Sequence, residues 1–263
     1  MKLSSEDIDL IPKSFDVVGD ILIFSDFPKD LIKKENLIGK YLLKKFKNIK
    51  VITRKIGFYK GKYRLAKLKI IAGEKRKETI HKESKCLLKL DVEKCYFSPR
   101  LSTERLRIAK QIKKNEEVLV MFSGVSPYSI VISKNSKAKE IYGIEINPTA
   151  HKYALENLKL NKINNIKLFK GDVRKVLVKI NKKFDRIIMP LPKGASSFLD
   201  LAFSKIKKNG IIYFYDFLPE QDIPDKAIEK IKRIKKRFKV LNYVKCGQLG
   251  PRKYRVCLDI RAL

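Results

Sequence analysis

The sequence predicts an α/β fold in which a parallel β-sheet, covered by helices on both faces, follows a small N-terminal α+β domain. Beyond about residue 116, short apolar runs alternate with helical segments, which is typical of βαβ units. The preceding part of the chain contains a hairpin signal and further short apolar runs. The 263 residues suffice for two domains, and we place their boundary between residues 111 and 112.

The N-terminal domain is expected to contain a hairpin, a helix and two further strands. Residues 15–24 mix β-branched and aromatic side chains around a Gly-Asp turn, which predicts the hairpin. Residues 28–46 carry Leu and Ile at helical spacing, with lysines between them. Two short apolar runs follow, separated by a glycine-containing turn: residues 48–54 and 63–72, with Gly57 and Gly61 between them.

The C-terminal domain is expected to alternate strands with helices. The strands lie at residues 117–122, 141–146, 166–169, 184–189 and 210–217. The first of them is almost fully apolar, as expected where both faces of a parallel sheet are covered. Helices are predicted at residues 149–160, 195–208 and 227–238. Two last runs, 240–245 and 254–261, flank Gly250-Pro251 and predict an antiparallel pair at the edge of the sheet.

The charge balance indicates a polyanionic partner. The chain carries 61 Lys and Arg residues against 28 Asp and Glu residues, a formal net charge of +33. Such a field attracts RNA or DNA. A compositionally biased or thermophilic genome also produces Lys-rich chains, but these usually balance Lys with Glu. We therefore expect a nucleic-acid partner.

Cysteine usage and hydropathy argue against several classes of protein. The four cysteines form no CxxC pair and have no His at metal-binding spacing, so we expect ordinary buried thiols in a reducing compartment and no metal site. The N-terminal segment has no apolar signal-peptide core, and no run of about 18 apolar residues could span a membrane. We expect a soluble, cytoplasmic and monomeric protein.

Four features at the predicted strand ends indicate a cofactor site. In an open parallel sheet, ligands bind beyond the carboxyl ends of the strands, where the strand order reverses. Gly124 follows the first strand, and Glu145 ends the second at a spacing that suits hydrogen bonds from both ribose hydroxyls. Asp172 follows the third strand and suits an adenine amino group. The rigid Pro190-Leu191-Pro192 segment follows the fourth strand.

The type of cofactor is predicted from the first loop. Residues 123–129 read SGVSPYS, whereas a dinucleotide-binding loop usually shows GxGxxG. A single glycine provides no cradle for a pyrophosphate, which favours a nucleoside cofactor without phosphates. S-adenosylmethionine has these properties. Any α/β protein has loops and some acids at strand ends, so this prediction depends on the four features occurring together.

A succession of motifs resembles one enzyme family. In chain order they are Tyr96-Phe97-Ser98-Pro99-Arg100, Thr103-Glu104-Arg105, Met121-Phe122-Ser123-Gly124, Glu145-Ile146-Asn147-Pro148 and Met189-Pro190-Leu191-Pro192. They are similar to motifs of the archaeal and eukaryal tRNA (guanine-37 N1)-methyltransferases. The resemblance implies a Rossmann-like class I methyltransferase domain, S-adenosylmethionine as cofactor and tRNA as substrate. It also implies a short form without the N-terminal domain that some members use to check the tRNA elbow.

The resemblance assigns roles to four residues. Guanine N1 carries a proton at neutral pH, and by similarity Glu104 is the general base that removes it, while Arg64 supports negative charge on O6. Tyr96 and Phe122 are, by similarity, close to the cofactor. Without the family, Glu104 would be interpreted as a solvated helix residue, and Arg64 as a phosphate contact. The two aromatic residues would be assigned to the core.

Two departures from the family pattern leave other functions open. Val120 replaces an acid near the cofactor, and Pro190 replaces an asparagine that helps to hold the target base. Methylation of a tricyclic wyosine precursor, in addition or instead, therefore stays open, as does a non-catalytic RNA-binding role. Transfer of the aminocarboxypropyl group of the cofactor ranks lower, because that branch typically lacks the Ser-Pro-Arg and Leu-Pro motifs. The charge argues against a small-molecule methyltransferase.

Basic residues are expected to contact tRNA phosphates. Arg100, Arg105 and Arg252 lie in motif segments and are the leading candidates near the pocket. Many lysines elsewhere should together make the affinity fall steeply with salt. The target base lies in an anticodon loop, where it is splayed into a pocket more easily than from a duplex.

Overall fold

The protein is divided into two compact units. A computed structural model describes residues 3–191, 193–235 and 237–263. One unit consists of Met1–Glu83 with Leu87–Arg100, and the other of Ser84–Cys86 with Leu101–Leu263. The main division therefore falls between residues 100 and 101, ahead of the boundary placed from the sequence.

The first unit is built on a four-stranded sheet. Its helices are α1 (Ser5–Asp9) and α2 (Glu35–Lys45), the latter preceded by a 3-10 helix (Lys29–Lys34). The sheet has the order β1 (Asp16–Val18), β2 (Ile21–Phe24), β3 (Val51–Lys60) and β4 (Leu65–Gly73). Strands β2 and β3 are parallel, and the other pairs are antiparallel. Two further strands pair with each other: β5 (Glu78–Glu83) and β6 (Cys86–Asp91).

A glycine lets α2 pack closely on this sheet. A Cβ atom on Gly39 would lie only 2.6 Å from the Cβ atom of Ala72 in β4, so no larger residue fits without displacing the helix. Ile38 and Leu42 flank the glycine and are buried in the core of this unit. The predicted hairpin at 15–24 and the predicted helix at 28–46 are confirmed, with a 3-10 turn at the start of the helical segment.

The second unit contains the larger sheet. Its helices are α3 (Ser102–Gln111), α4 (Pro127–Asn135), α5 (Pro148–Leu160), α6 (Val173–Val178), α7 (Leu199–Lys205) and α8 (Asp225–Lys232), with 3-10 helices at Ala195–Phe198 and Glu220–Asp222. Its strands are β7 (Glu117–Met121), β8 (Glu140–Glu145), β9 (Ile166–Lys170), β10 (Phe184–Met189), β11 (Ile206–Pro219), β12 (Phe238–Gly250) and β13 (Lys253–Ala262).

The order of these strands creates a switch point at β7. The sheet runs β12-β13-β11-β10-β7-β8-β9. Strands β11, β10, β7, β8 and β9 are parallel, and β13 pairs antiparallel with both β11 and β12. The chain builds outward from β7 in one direction through β8 and β9, and in the other through β10 and β11. This topology confirms the predicted parallel sheet with an antiparallel pair at its edge, and it marks the carboxyl end of β7 as the ligand-binding position.

Three predicted boundaries were wrong. Strand β3 continues through Gly57, where the predicted turn was placed; Gly57 has a φ of 72° and lies where the register between β3 and β4 shifts, so it accommodates an irregularity within the strand. The helices predicted at 195–208 and 227–238 end earlier, at Lys205 and Lys232. The last predicted residues of each helix belong to strands instead. Ile206 pairs with Phe184 in β10, and Phe238 pairs with Ala262 in β13.

Candidate active site

The loop after β7 has an unusual backbone conformation. Phe122, Gly124 and Ser126 have φ angles of 59°, 58° and 69°. Residues other than glycine rarely adopt this left-handed region, and clusters of such residues often mark functional sites. The amide of Ser123 donates a hydrogen bond to the Ile144 carbonyl at 2.8 Å, which ties the loop to β8. The loop then leads directly into α4, so a constrained segment lies at the switch point.

Glu145, at the carboxyl end of β8, holds two loops together. The residue is only 8% exposed. Its Oε2 accepts a hydrogen bond from the Gly124 amide at 2.6 Å, and its Oε1 accepts one from the Asn147 amide at 2.7 Å. Burial raises the pKa of Glu145 above its usual value, although the main-chain amides oppose this shift. A carboxylate has about four acceptor positions, so capacity remains for ligand hydroxyls.

Buried hydroxyls in the same loop fit a polar ligand. The Oγ atoms of Ser123 and Ser126 are buried, and neither has a hydrogen-bond partner in the part of the chain that the structure describes. Buried polar groups are almost always satisfied, so these hydroxyls indicate a ligand. A nucleoside with a charged amino-acid tail suits this set, because ribose hydroxyls would donate to Glu145 and a ligand carboxylate would accept from a serine.

The next two strand ends contribute to the same edge of the sheet. Asp172 follows β9 and caps α6, where its side chain accepts a hydrogen bond from the Arg174 amide at 2.9 Å. Helix capping by itself explains an aspartate at this position, so a contact with adenine stays a prediction. Pro190 follows β10 and is half-buried. Pro192 lies outside the described residues.

Phe122 belongs to an aromatic cluster that sequence analysis missed. Its ring meets the Phe198 ring edge to face, with centroids 4.9 Å apart. The Arg174 guanidinium lies 3.9 Å from the centroid of Phe198, within cation–π distance. Phe198 is far from Phe122 in the chain, and no local pattern relates the two.

Glu104 lies in a buried hydrogen-bond network and is not a solvated helix residue. It occupies the first turn of α3 and is 5% exposed. Its Oε1 accepts hydrogen bonds from the Tyr215 hydroxyl at 2.6 Å and from Arg107 at 2.9 Å, whereas its Oε2 accepts one from Arg107 Nε at 2.7 Å. Oε2 therefore retains more acceptor capacity than Oε1.

Arg107 bridges Glu104 and a second buried carboxylate. Besides Glu104, it donates to both oxygens of Asp259 in β13, at 2.7 and 3.0 Å. Burial by itself would lower the pKa of Arg107, but its hydrogen bonds to Glu104 and Asp259 raise that pKa above the usual value. The i,i+3 spacing of Glu104 and Arg107 was a usable signal in the sequence. Asp259 and Tyr215 come from distant strands, and no sequence pattern identifies them.

Two tyrosines connect Glu104 with the loop after β7. The Tyr128 hydroxyl donates to the Tyr215 hydroxyl at 3.0 Å, and the latter donates to Glu104. Burial raises the pKa of both tyrosines well above the usual value, so they remain protonated donors. Tyr128 is the second residue of α4, just after the loop whose Gly124 amide binds Glu145. Both predicted carboxylates are thus tied to the segment 124–128.

In the first unit, Arg64 and Tyr96 line one small cavity of about 30 Å³. Arg64 lies in the turn between β3 and β4 with a φ of 54°. The Tyr96 ring meets the Tyr59 ring edge to face at 5.6 Å, and Lys55 Nζ lies 4.5 Å from the Tyr59 centroid. Cationic and aromatic groups of this kind can contact a planar base at the mouth of the cavity, whose interior is too small to hold one.

The three arginines proposed as phosphate contacts differ in their surroundings. Arg100 donates from Nε to Asp16 at 2.6 Å but keeps half of its side chain exposed. Arg252 is exposed in the turn between β12 and β13. Arg105 is 1% exposed, and its guanidinium lies 5.9 Å from the Tyr128 ring centroid. The burial of Arg105 argues against the predicted contact with a tRNA phosphate.

Metal-binding clusters and membrane-spanning helices are absent from the described residues. No group of three or more His, Cys, Asp or Glu side chains among them could hold a metal ion. None of the described helices is long and apolar enough to cross a membrane. Cys86, Cys95 and Cys257 are free, buried thiols, as predicted, whereas the free thiol Cys246 is only partly buried.

The strand order, the loop after β7 and the carboxylate at the end of β8 together define a Rossmann-like methyltransferase fold. Comparison with family models agrees: the TRM5/TYW2 methyltransferase domain matches residues 79–242, and the TYW2 N-terminal domain matches residues 1–76. The chain belongs to the TRM5/TYW2 methyltransferase family. The family and fold class predicted from the motifs are therefore confirmed.

Relatives within the family are named for different activities. The chain is 42% identical to tRNA (guanine(37)-N(1))-methyltransferase Trm5b of Pyrococcus abyssi, covering 95% of this chain and 75% of that protein. It is 36% identical to tRNA 4-demethylwyosine(37)-methyltransferase Taw21 of Saccharolobus solfataricus, covering 95% and 94%. A solved structure of Methanocaldococcus jannaschii Trm5 with adenosine superposes with a TM-score of 0.82 at 37% identity, covering 97% and 76%.

Proposed function

We propose that the protein transfers the methyl group of S-adenosylmethionine to N1 of guanosine 37 in tRNA. The observation that carries this proposal is the buried Glu104 carboxylate, tied through two tyrosines to the loop at the switch point. The identity of 42% with a tRNA (guanine(37)-N(1))-methyltransferase supports this substrate. The bound cofactor supplies an electrophilic methyl group on its sulfonium.

Glu104 is proposed as the group that removes the N1 proton of guanine. Arg107 and Tyr215 fix the carboxylate and leave Oε2 with one hydrogen bond, so Oε2 is the proposed proton acceptor. Arg107 also supplies the counter-charge for the carboxylate. Glu145 is proposed to accept hydrogen bonds from the ribose, and the serine hydroxyls of the loop to donate to the polar tail of the cofactor.

Arg64→Ala is expected to slow the chemical step by about 10²- to 10³-fold, because a guanidinium near O6 would stabilise the charge that develops as N1 loses its proton. The measurement is the single-turnover rate at saturating tRNA and cofactor. Lys67→Ala is the matched control, since it removes one exposed positive charge from the same unit. If Arg64→Ala weakens only tRNA affinity, Arg64 is a phosphate contact.

The affinity for S-adenosylmethionine is expected to fall as the pH is lowered through the raised pKa of Glu145. Above this pKa the carboxylate accepts from the ribose hydroxyls; below it, the protonated group loses acceptor capacity. Calorimetric titrations of cofactor at a series of pH values from neutral down to about pH 5 measure this dependence. Glu145→Gln should bind weakly at every pH, and an unchanged pH profile in that variant would contradict the assignment.

The remaining proposals concern tRNA recognition, oligomeric state and cellular location. Arg100 and Arg252 are proposed to contact tRNA phosphates, and the first unit to help bind the RNA while the second binds the cofactor. The target base must leave the anticodon loop stack to reach a carboxylate as buried as Glu104. The monomeric state, the cytoplasmic location and the contacts of Tyr96 and Phe122 with the cofactor stay predictions.

A second candidate is methylation of 4-demethylwyosine at the same tRNA position. The identity of 36% with Taw21, and Pro190 in place of the family's usual asparagine, favour it. Mass spectrometry of nucleosides decides between the two: unmodified and precursor-bearing tRNA are incubated with labelled cofactor. N1-methylguanosine supports the main proposal, and labelled product from precursor-bearing tRNA alone overturns it. Detection of no cofactor binding at all would instead favour a non-catalytic RNA-binding protein.

A further inference from the structure

A concave basic surface lies at the edge of the larger sheet opposite the candidate active site. It encloses about 370 Å³ and is lined by five cationic side chains: Lys183, Lys207, Lys208, Lys235 and Arg237. Lys183 directly precedes β10, and Lys207 and Lys208 are the second and third residues of β11. These are the amino ends of the parallel strands, whereas Glu145 and the loop after β7 lie at the carboxyl ends. We call this region the amino-edge surface.

Most of the charge on the amino-edge surface is not neutralised. Lys207 pairs with Glu117 at 3.1 Å and Asp185 at 2.9 Å. No carboxylate of the described residues lies within ion-pair distance of Lys183, Lys208 or Arg237. No lining side chain that the structure describes is acidic. Cations brought together in a concavity repel one another, and a polyanion relieves that repulsion.

Two paired lysines at the same edge of the sheet provide a contrast with this surface. Lys182 contacts both Glu117 and Glu140 at 2.8 Å, and Lys167 contacts Glu140 at 2.5 Å. The amino-edge surface differs from these positions, because among the described residues no carboxylate lies within ion-pair distance of Lys183, Lys208 or Arg237.

We propose that the amino-edge surface binds the phosphate backbone of the tRNA at a segment outside the anticodon loop. This inference depends on the proposed function. Strand β10 has six residues, and at about 3.3 Å per residue it separates the two edges by roughly 20 Å. A phosphate at the amino edge therefore belongs to nucleotides well away from the one that enters the candidate active site. Lysine and arginine bind such phosphates without regard to sequence.

The test compares two triple variants of equal charge. Lys183→Gln/Lys208→Gln/Arg237→Gln alters the amino-edge surface. Lys134→Gln/Lys159→Gln/Lys162→Gln removes three positive charges from exposed, unpaired lysines elsewhere in the same unit. Filter binding without cofactor gives Kd for full-length tRNA and for an isolated anticodon stem-loop over a range of salt concentrations. Because no methyl transfer is measured in this assay, its outcome is independent of whether the proposed reaction occurs.

The amino-edge variant is expected to weaken binding of full-length tRNA by about tenfold or more at low salt, and to reduce the slope of log K against log salt by about two. The control variant should change the slope by much less, and neither variant should change the affinity for the stem-loop. Equal losses in the two variants would overturn the proposal. So would an equal loss with the stem-loop, since the contact would then lie beside the anticodon.

Discussion

Glu104→Gln is expected to lower the single-turnover rate of methyl transfer by about 10²- to 10⁴-fold while leaving tRNA affinity almost unchanged. Glutamine has nearly the shape of glutamate, and its carbonyl oxygen can still accept from Tyr215 or Arg107. Its amide group cannot accept the N1 proton, however. The side chain is buried and held at 2.6 to 2.9 Å by Tyr215 and Arg107, so the glutamine should occupy the same position. Rates are measured at saturating tRNA and cofactor.

Glu116→Gln is the matched control for this prediction. Glu116 accepts two hydrogen bonds from Arg186, at 2.9 and 3.0 Å, so it forms the same kind of arginine pair in the same unit. Both variants remove the charge of a carboxylate from such a pair and should lose comparable stability. Only Glu104→Gln should lose the chemical step. If its rate stays within a few-fold of the parent, Glu104 is a structural ion-pair residue.

The topology of the larger sheet was predictable because several of its parallel strands are short, largely apolar runs that alternate with helical segments. Runs such as 117–121 and 184–189 are bounded by polar or glycine-containing segments, so their limits are visible without any knowledge of their partners. Boundaries failed where a helix is followed at once by a strand. Ile206 continues a helical pattern locally, and only its pairing with Phe184 determines that it belongs to the sheet.

The candidate site was predictable at the strand ends and not in its interior. Gly124 and Glu145 follow directly from the rule that ligands bind beyond the carboxyl ends of parallel strands. The environment of Glu104 depends on Tyr215 and Asp259, which β11 and β13 bring from the far end of the chain. The burial of Arg105 could not be predicted from the sequence either. Arginine is usually exposed, so a motif arginine is interpreted as a phosphate contact unless its burial is known.

Glu145→Ala is expected to raise the Kd for S-adenosylmethionine by about 100-fold or more. Hydrogen bonds to a charged acceptor contribute about 1.5 to 3 kcal/mol each, and two ribose hydroxyls would lose such a bond. The variant also removes the carboxylate that accepts from the Gly124 and Asn147 amides, so the two loops lose their common attachment. Calorimetry with purified protein measures the change. Glu140→Ala, at the amino end of the same strand, is the control and should leave the Kd unchanged.

A double-mutant cycle separates ribose binding from loop attachment. The second change is made in the ligand, by removing the 2′-hydroxyl of the cofactor. If Glu145 binds the ribose, the parent enzyme loses affinity for the deoxy ligand, whereas Glu145→Ala loses no more, because the bond is already absent. If Glu145 only ties the two loops, the ligand change weakens both proteins equally. That second result would remove Glu145 from the cofactor site, because its hydrogen bonds to Gly124 and Asn147 would then be its whole role.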